Sequence, residues 1–161
     1  MRTRRIQGVR TVLVVLSAAG MVFDVESLRQ KISSAYPEAA VFFRTTLGAP
    51  MGPISPDRVD LLIDLTGPGQ RQGIFYARKL RKMAKVAVGR NAGLFRKAIY
   101  NHVFDERQQA KSLPAEKLAR ERVVQRAVLE LVGIAFVQAG DSAPDRGKIV
   151  PLDLPPLSSA K

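Results

Sequence analysis

The residues best suited to chemistry lie in two short turns and in a few isolated side chains. Ser17-Ala18-Ala19-Gly20 follows the uncharged run Thr11–Leu16, and Gly67, Gly69 and Gly73 follow Val59–Leu65. Where a buried strand runs through a small-residue turn into a helix, backbone N–H groups and the positive end of the helix dipole converge. Ligands collect at such places. The second turn has the outline of a dinucleotide fingerprint, but its glycine spacing is off by one residue and Pro68 removes an N–H that a phosphate cradle needs. It also lacks the Gly-Lys-Ser/Thr of a phosphate-binding lysine loop. A tight structural turn is expected there, with an anion held by Arg71 and the loop amides as the alternative. Asp64, at the end of the preceding run, either meets a ligand hydroxyl or caps the loop amides, and capping is expected. Asp24 and Glu26 fall where a helix begins, so they offset its dipole rather than catalyse. His102 is the only histidine and there is no cysteine, which excludes disulfides, thiolate metal sites and His-cluster metal sites. Neither a metal nor a cofactor is expected.

Two kinds of periodicity position these residues. Thr11–Leu16, Ala39–Arg44, Val59–Leu65, Lys85–Gly89 and Asn101–Phe104 read as five short strands, the first and third wholly apolar in the manner of strands covered on both faces. Val22, Val25, Leu28, Ile32 and Ala35 recur at helical spacing until Tyr36-Pro37 ends them, since a proline pushes its predecessor out of the helical region. A second helix follows Gly73, and a third starts at Ser112-Leu113-Pro114, carries Leu118, Val124, Ala127, Val128 and Leu131 inward, and stops at Gly133. Arg90–Asn101 reads as irregular or a short helix. Strands alternating with helices predict one α/β, Rossmann-like three-layer domain over residues 1–137, with a mostly parallel sheet of about five strands. Residues 138–161, rich in Pro, Asp, Ser and Gly, read as a tail or an interrupted linker.

Charge narrows the partners. The net charge is +12, and from Leu65 to Phe104 there is no acidic residue at all, while Arg71, Arg78, Lys79, Arg81, Lys82, Lys85, Arg90, Arg96 and Lys97 all fall there. A surface of one sign attracts polyanions, so the Arg71–Lys97 region is expected to face an anionic ligand, a membrane surface or a protein partner. Only Phe75, Tyr76 and Phe95 interleave with these charges, so no nucleic-acid module is matched and sequence-specific nucleic-acid binding is not expected. No segment reaches the roughly 18 apolar residues of a membrane span. The amino-terminal arginines before an apolar run imitate a signal peptide, but that run is short, β-branched and continued by an amphipathic helix, so export is not expected.

Three stretches, in order, resemble glycosyltransferase family 9, the bacterial heptosyltransferases of lipopolysaccharide core assembly. LVVLSAAGMVFDVESLRQKISSAYPEA is similar to the family's opening strand, Ser-x-x-Gly-Asp turn, and helix ending in Tyr/Phe-Pro-x-Ala. Asp60–Gly67, DLLIDLTG, resembles its Asp-Leu-x-Ile-Asp-Leu-x-Gly strand. Glu121–Ile134, ERVVQRAVLELVGI, resembles its His-x-x-Glu-Arg-x-x-x-Leu-x-x-x-Gly-Ile helix. The resemblance spans roughly residues 10 to 137 and implies the acceptor-side, amino-terminal half of an enzyme with two Rossmann-like domains. Met21 stands where the family carries the aspartate that takes the acceptor's proton, with Asp24 as a weak substitute almost one turn away. The helix motif's His and Glu are Arg122 and Gln125, and Arg126 is retained.

The resemblance and the charge together lead to one expectation. It is a degenerate, stand-alone domain without transferase activity of its own, which binds an anionic partner or serves as a subunit of a larger assembly. Ser17, Gly20, Gly67, Arg71, Arg78, Lys82 and Arg126 would contact the anion or acceptor. The alternative is the acceptor-binding half of a split glycosyltransferase acting on lipopolysaccharide or another surface glycan, its donor domain a separate protein. The expected location is the cytoplasm, with a peripheral place at the inner membrane as the alternative.

Overall fold

The computed structural model describes residues 5–16, 24–45, 52–66, 78–79, 81–91 and 99–135. Five strands, β1 (Thr11–Leu16), β2 (Ala40–Thr45), β3 (Val59–Asp64), β4 (Ala84–Asn91) and β5 (His102–Asp105), form one sheet. Their order is β2-β1-β3-β4-β5, and every pairing is parallel. The fold is thus α/β with a single Rossmann-like sheet, as the alternating pattern predicts. Strand order reverses between β1 and β3, the place where doubly wound sheets open a crevice at their carboxyl ends.

The central position of β1 accounts for its uncharged sequence. Val12, Val14 and Leu16 face one layer together with Phe43, Leu61, Ile63 and Val88, while Leu13 and Val15 face the other with Leu62, Ala87 and Tyr100. The first layer is closed by α1 (Val25–Ala35) and α2 (Lys117–Glu130). Leu28 and Ile32 of α1 and Val128 and Leu129 of α2 are fully buried in it. Each such side chain contributes roughly 1.5–3 kcal/mol by leaving water. Asp24 caps α1, its carboxylate accepting from Ser27 N at 2.9 Å, and Tyr36 closes the other end as expected.

Two boundaries differ from the expectation. α2 starts at Lys117 rather than at Ser112–Pro114, because Pro114 holds Leu113 extended (ψ 146°) and the capping carboxylate belongs to Glu116. That carboxylate accepts from Leu118 N and Ala119 N at 3.0 and 2.7 Å, and the amides hold its pKa below the usual range. β4 continues past Gly89 through Arg90 and Asn91, which the sequence reading places in an irregular segment. The helix after Gly73 is described only at residues 78–79 and 81–82, which are helical as expected.

At the amino ends of the strands, Asp60 ties three of them together. One carboxylate oxygen accepts from Arg10 N at 2.9 Å and from Thr11 N and Oγ1 at 3.2 Å, and the other meets Lys85 Nζ at 2.9 Å. The Lys85 ammonium first, and the Arg10 amide after it, hold the Asp60 carboxyl down to about 2. Below it, the Tyr36 hydroxyl accepts from Ile6 N and donates to Val132 O, joining the chain's start to both helices.

Candidate functional site

The carboxyl ends of the strands hold two polar networks, one on each face of the sheet. On the face of Leu13 and Ala87, the buried Asp64 accepts from Thr66 N at 3.0 Å and Thr66 Oγ1 at 2.6 Å. Its second oxygen accepts from the Tyr100 hydroxyl. Asp64 therefore caps the start of the following loop, the expected role, and has a buried phenol as further partner. Tyr100 reaches Asp64 by lying across β4 at Gly89, where a Cβ would stand 2.6 Å from the ring. Glycine is required there by contact rather than by backbone freedom.

On the other face, Arg90 is 1% exposed and fully neutralised. Its Nε meets Glu106 at 3.2 Å, and its two terminal nitrogens hold the Glu121 carboxylate at 2.7 and 2.6 Å in a bidentate pair. Arg120 adds a second cation on Glu106 at 3.2 Å, and Gln125 donates to Glu121 at 3.2 Å. Burial by itself pushes the Glu121 carboxyl up; the Arg90 hydrogen bonds and charge outweigh it, and the net direction is down. This cluster clamps α2 onto β4 and β5. Breaking a buried pair of this kind leaves a charge without compensation, so its role is structural.

The basic run Arg71–Lys97 is thereby divided. Arg90 is an internal ion pair, Lys85 binds Asp60, and Arg81 donates to Ala84 O at 2.8 Å. Arg78, Lys79 and Lys82 are exposed, and no ion pair holds them among the described residues. Lys82 lies two residues before β4 begins, at the amino ends of the strands, whereas the Ser17–Gly20 turn follows the carboxyl end of β1. Ser17, Gly20, Met21, Gly67 and Arg71 themselves lie outside the described residues. Asp24 is committed to its helix cap, and Arg126 lies half-buried on α2.

What the sequence reading missed is a set of unpaired polar atoms. Among the described residues, the buried side-chain atoms without a hydrogen-bond partner are Arg44 Nε, Asn91 Oδ1, Arg122 Nε and Arg126 Nε. Arg44 is the penultimate residue of β2 and Asn91 the last of β4. Arg122 follows Glu121, which binds Arg90 near the end of β4, and Arg126 lies one turn further along α2. Arg44 and Asn91 stand near the carboxyl ends of their strands with β1 and β3 between them, whereas Arg122 and Arg126 lie on α2, which covers the other face of the sheet. Arg44 also lines a hollow of about 330 Å³ with Phe43, Ile54, Ser55, Pro56 and Asp57.

No protein-family model, curated protein or solved structure matches the chain. The geometry at the carboxyl ends therefore carries the functional reading. Buried polar groups are normally paired, and leaving one unmade costs about 1–3 kcal/mol. Three guanidinium Nε donors and one amide oxygen are thus buried without partners among the described residues, and each costs stability until something pairs it. No cluster of metal-ligating side chains occurs among the described residues.

Proposed function

We propose that this chain is a relative of the acceptor-side domain of family 9 glycosyltransferases, binding an anionic, hydroxyl-bearing ligand at the carboxyl ends of its strands without transferring sugar by itself. The observation that carries the reading is the two unpaired buried atoms near that end, Arg44 Nε on β2 and Asn91 Oδ1 on β4. Arg44 supplies a cationic donor and Asn91 an acceptor for a ligand hydroxyl, while the polar contacts of Asp60 at the opposite end are made within the chain. The parallel sheet with its switch between β1 and β3 supports the ancestry. Met21, whose thioether takes no proton, and Asp24, held by its own helix, support the lack of transfer.

Titration calorimetry of the full chain with phosphorylated oligosaccharides at low salt tests the binding. Binding should weaken at least about tenfold in Arg44→Gln and be unchanged in Arg10→Gln, an exposed residue just before β1 at the other end. Absence of binding, or equal loss in both variants, would overturn the proposal. Turnover of an activated sugar by the unaided chain would overturn its non-catalytic part.

A further inference from the structure

We infer that Arg122 and Arg126 form a clamp for a phosphomonoester group on the flank of α2 that faces α1. The inference rests on the two buried, unpaired Nε atoms of α2, and neither on the carboxyl-end site nor on descent from a sugar transferase. At 100° per residue, positions 122, 126, 129 and 133 share one flank of α2. Leu129 on that flank is buried with Leu28 and Ile32 of α1, and Gly133 lies against the Arg5 backbone. The flank carrying Arg120 is on the opposite side and is taken up by Glu106. Residues four apart on a helix are neighbours, so two guanidinium groups are placed side by side.

Among the described residues neither makes an ion pair, and Glu116, at the start of α2, reaches Arg122 only as a charge at a distance. Each Nε is shielded from water and has no partner. Glu121, next to Arg122, gives both its oxygens to Arg90. Glu130, one turn beyond Arg126, makes no ion pair with it, and Asp24 and Glu26 of α1 are taken by Ser27 N and Arg29. Two like charges one turn apart repel, and shielding their donors from water adds to the cost. A dianion removes both. A phosphate monoester has the matching charge of about −1.5 to −2 and three terminal oxygens, enough to accept from both forks. A single carboxylate would balance only one of the two cations.

The test uses the full chain with two probes, glucose 6-phosphate in solution and vesicles containing phosphatidic acid, which present the same group from a soluble ligand and from a headgroup. Arg122→Gln and Arg126→Gln should each weaken binding to one or both probes about tenfold or more, and Arg10→Gln, at an exposed residue just before β1, should leave it unchanged at fixed ionic strength. Glucose without phosphate should not compete. Thermal unfolding of each variant without ligand confirms that it is folded, since neither arginine has a partner to lose. The clamp is overturned if neither probe binds, or if both arginine variants bind as the parent does. If oligosaccharide phosphates bind but the arginine variants are silent, the clamp falls and the acceptor-domain reading stands. If glucose 6-phosphate binds through the arginines and no oligosaccharide does, the reverse holds.

Discussion

The two ends of the sheet solve opposite problems. At the amino end, Asp60 gathers β1, β3 and β4 through a carboxylate whose oxygens accept from two amides, a hydroxyl and an ammonium. At the carboxyl end, Arg44 and Asn91 each keep a buried polar atom without a partner, beside the paired Asp64 and Arg90 networks. Paired groups hold the fold together, and unpaired ones cost stability. The contrast separates polar groups that the fold uses from those it only carries.

The sharpest way to break this comparison is within the carboxyl end itself, where the Arg90 cluster is paired and the buried atoms of Arg44 and Asn91 are not. Glu121→Ala should cost about 3 kcal/mol, at the low end for a broken buried pair because Glu106 remains on Arg90. Urea denaturation measures this, and a loss under about 1 kcal/mol would show that α2 is held by its apolar face alone. The Glu121 carboxyl is depressed in the folded chain, so its stabilisation is complete above its unfolded pKa and disappears as acid protonates it. Gly89→Ala comes next. The new methyl meets the Tyr100 ring, and overpacking of this sort should cost about 2 kcal/mol and weaken the Tyr100–Asp64 contact.

Asp60→Asn should cost about 1 kcal/mol or less, since Lys85 is 77% exposed and its ion pair is screened. Its clearer signature is in pH. The folded carboxyl titrates near 2 rather than 3.8, so Asp60 contributes stability above pH 3.8 that is lost on going down to about 2. The variant should flatten the acid limb in that window; an unchanged limb would remove Asp60 from its role. The smallest effect belongs to Asn91→Leu. Replacing an unpaired buried acceptor by an apolar group of similar size should be neutral or stabilising by up to about 1 kcal/mol. A clear destabilisation would mean that Asn91 serves the fold, and the contrast between the ends would fail there.

The sequence makes the framework readable where one period governs a whole element. β1, β3 and α1 are spelled out by their uncharged or three-and-four spacing, and Tyr36-Pro37 marks a stop that the backbone respects. β4 is truncated in that reading because Gly89 and Arg90 look like a break. What keeps them in the strand lies far along the chain: Tyr100 covering Gly89, and Glu106 and Glu121 neutralising Arg90. The same distance effect hides the site. A run of basic residues looks uniform in sequence, yet tertiary partners occupy Arg81, Lys85 and Arg90 and leave the Nε atoms of Arg122 and Arg126, outside the run, without a hydrogen bond. Of the candidate residues, Arg126 alone belongs to this unpaired set, and the motif rather than the charge points to it.

Arg29 of α1 has a consequence for how this molecule meets copies of itself. Its guanidinium lies 4.8 Å from the Phe43 ring centroid and donates to Val41 O at 3.0 Å. In the parallel register of β2 on β1, Ala40 turns its amide inward to Arg10, so Val41 turns its carbonyl to the open border of the sheet. An unguarded border invites another chain to add a strand and so to aggregate. Here an incoming strand would first have to pull Arg29 off both the carbonyl and the aromatic ring, which directs association away from this border.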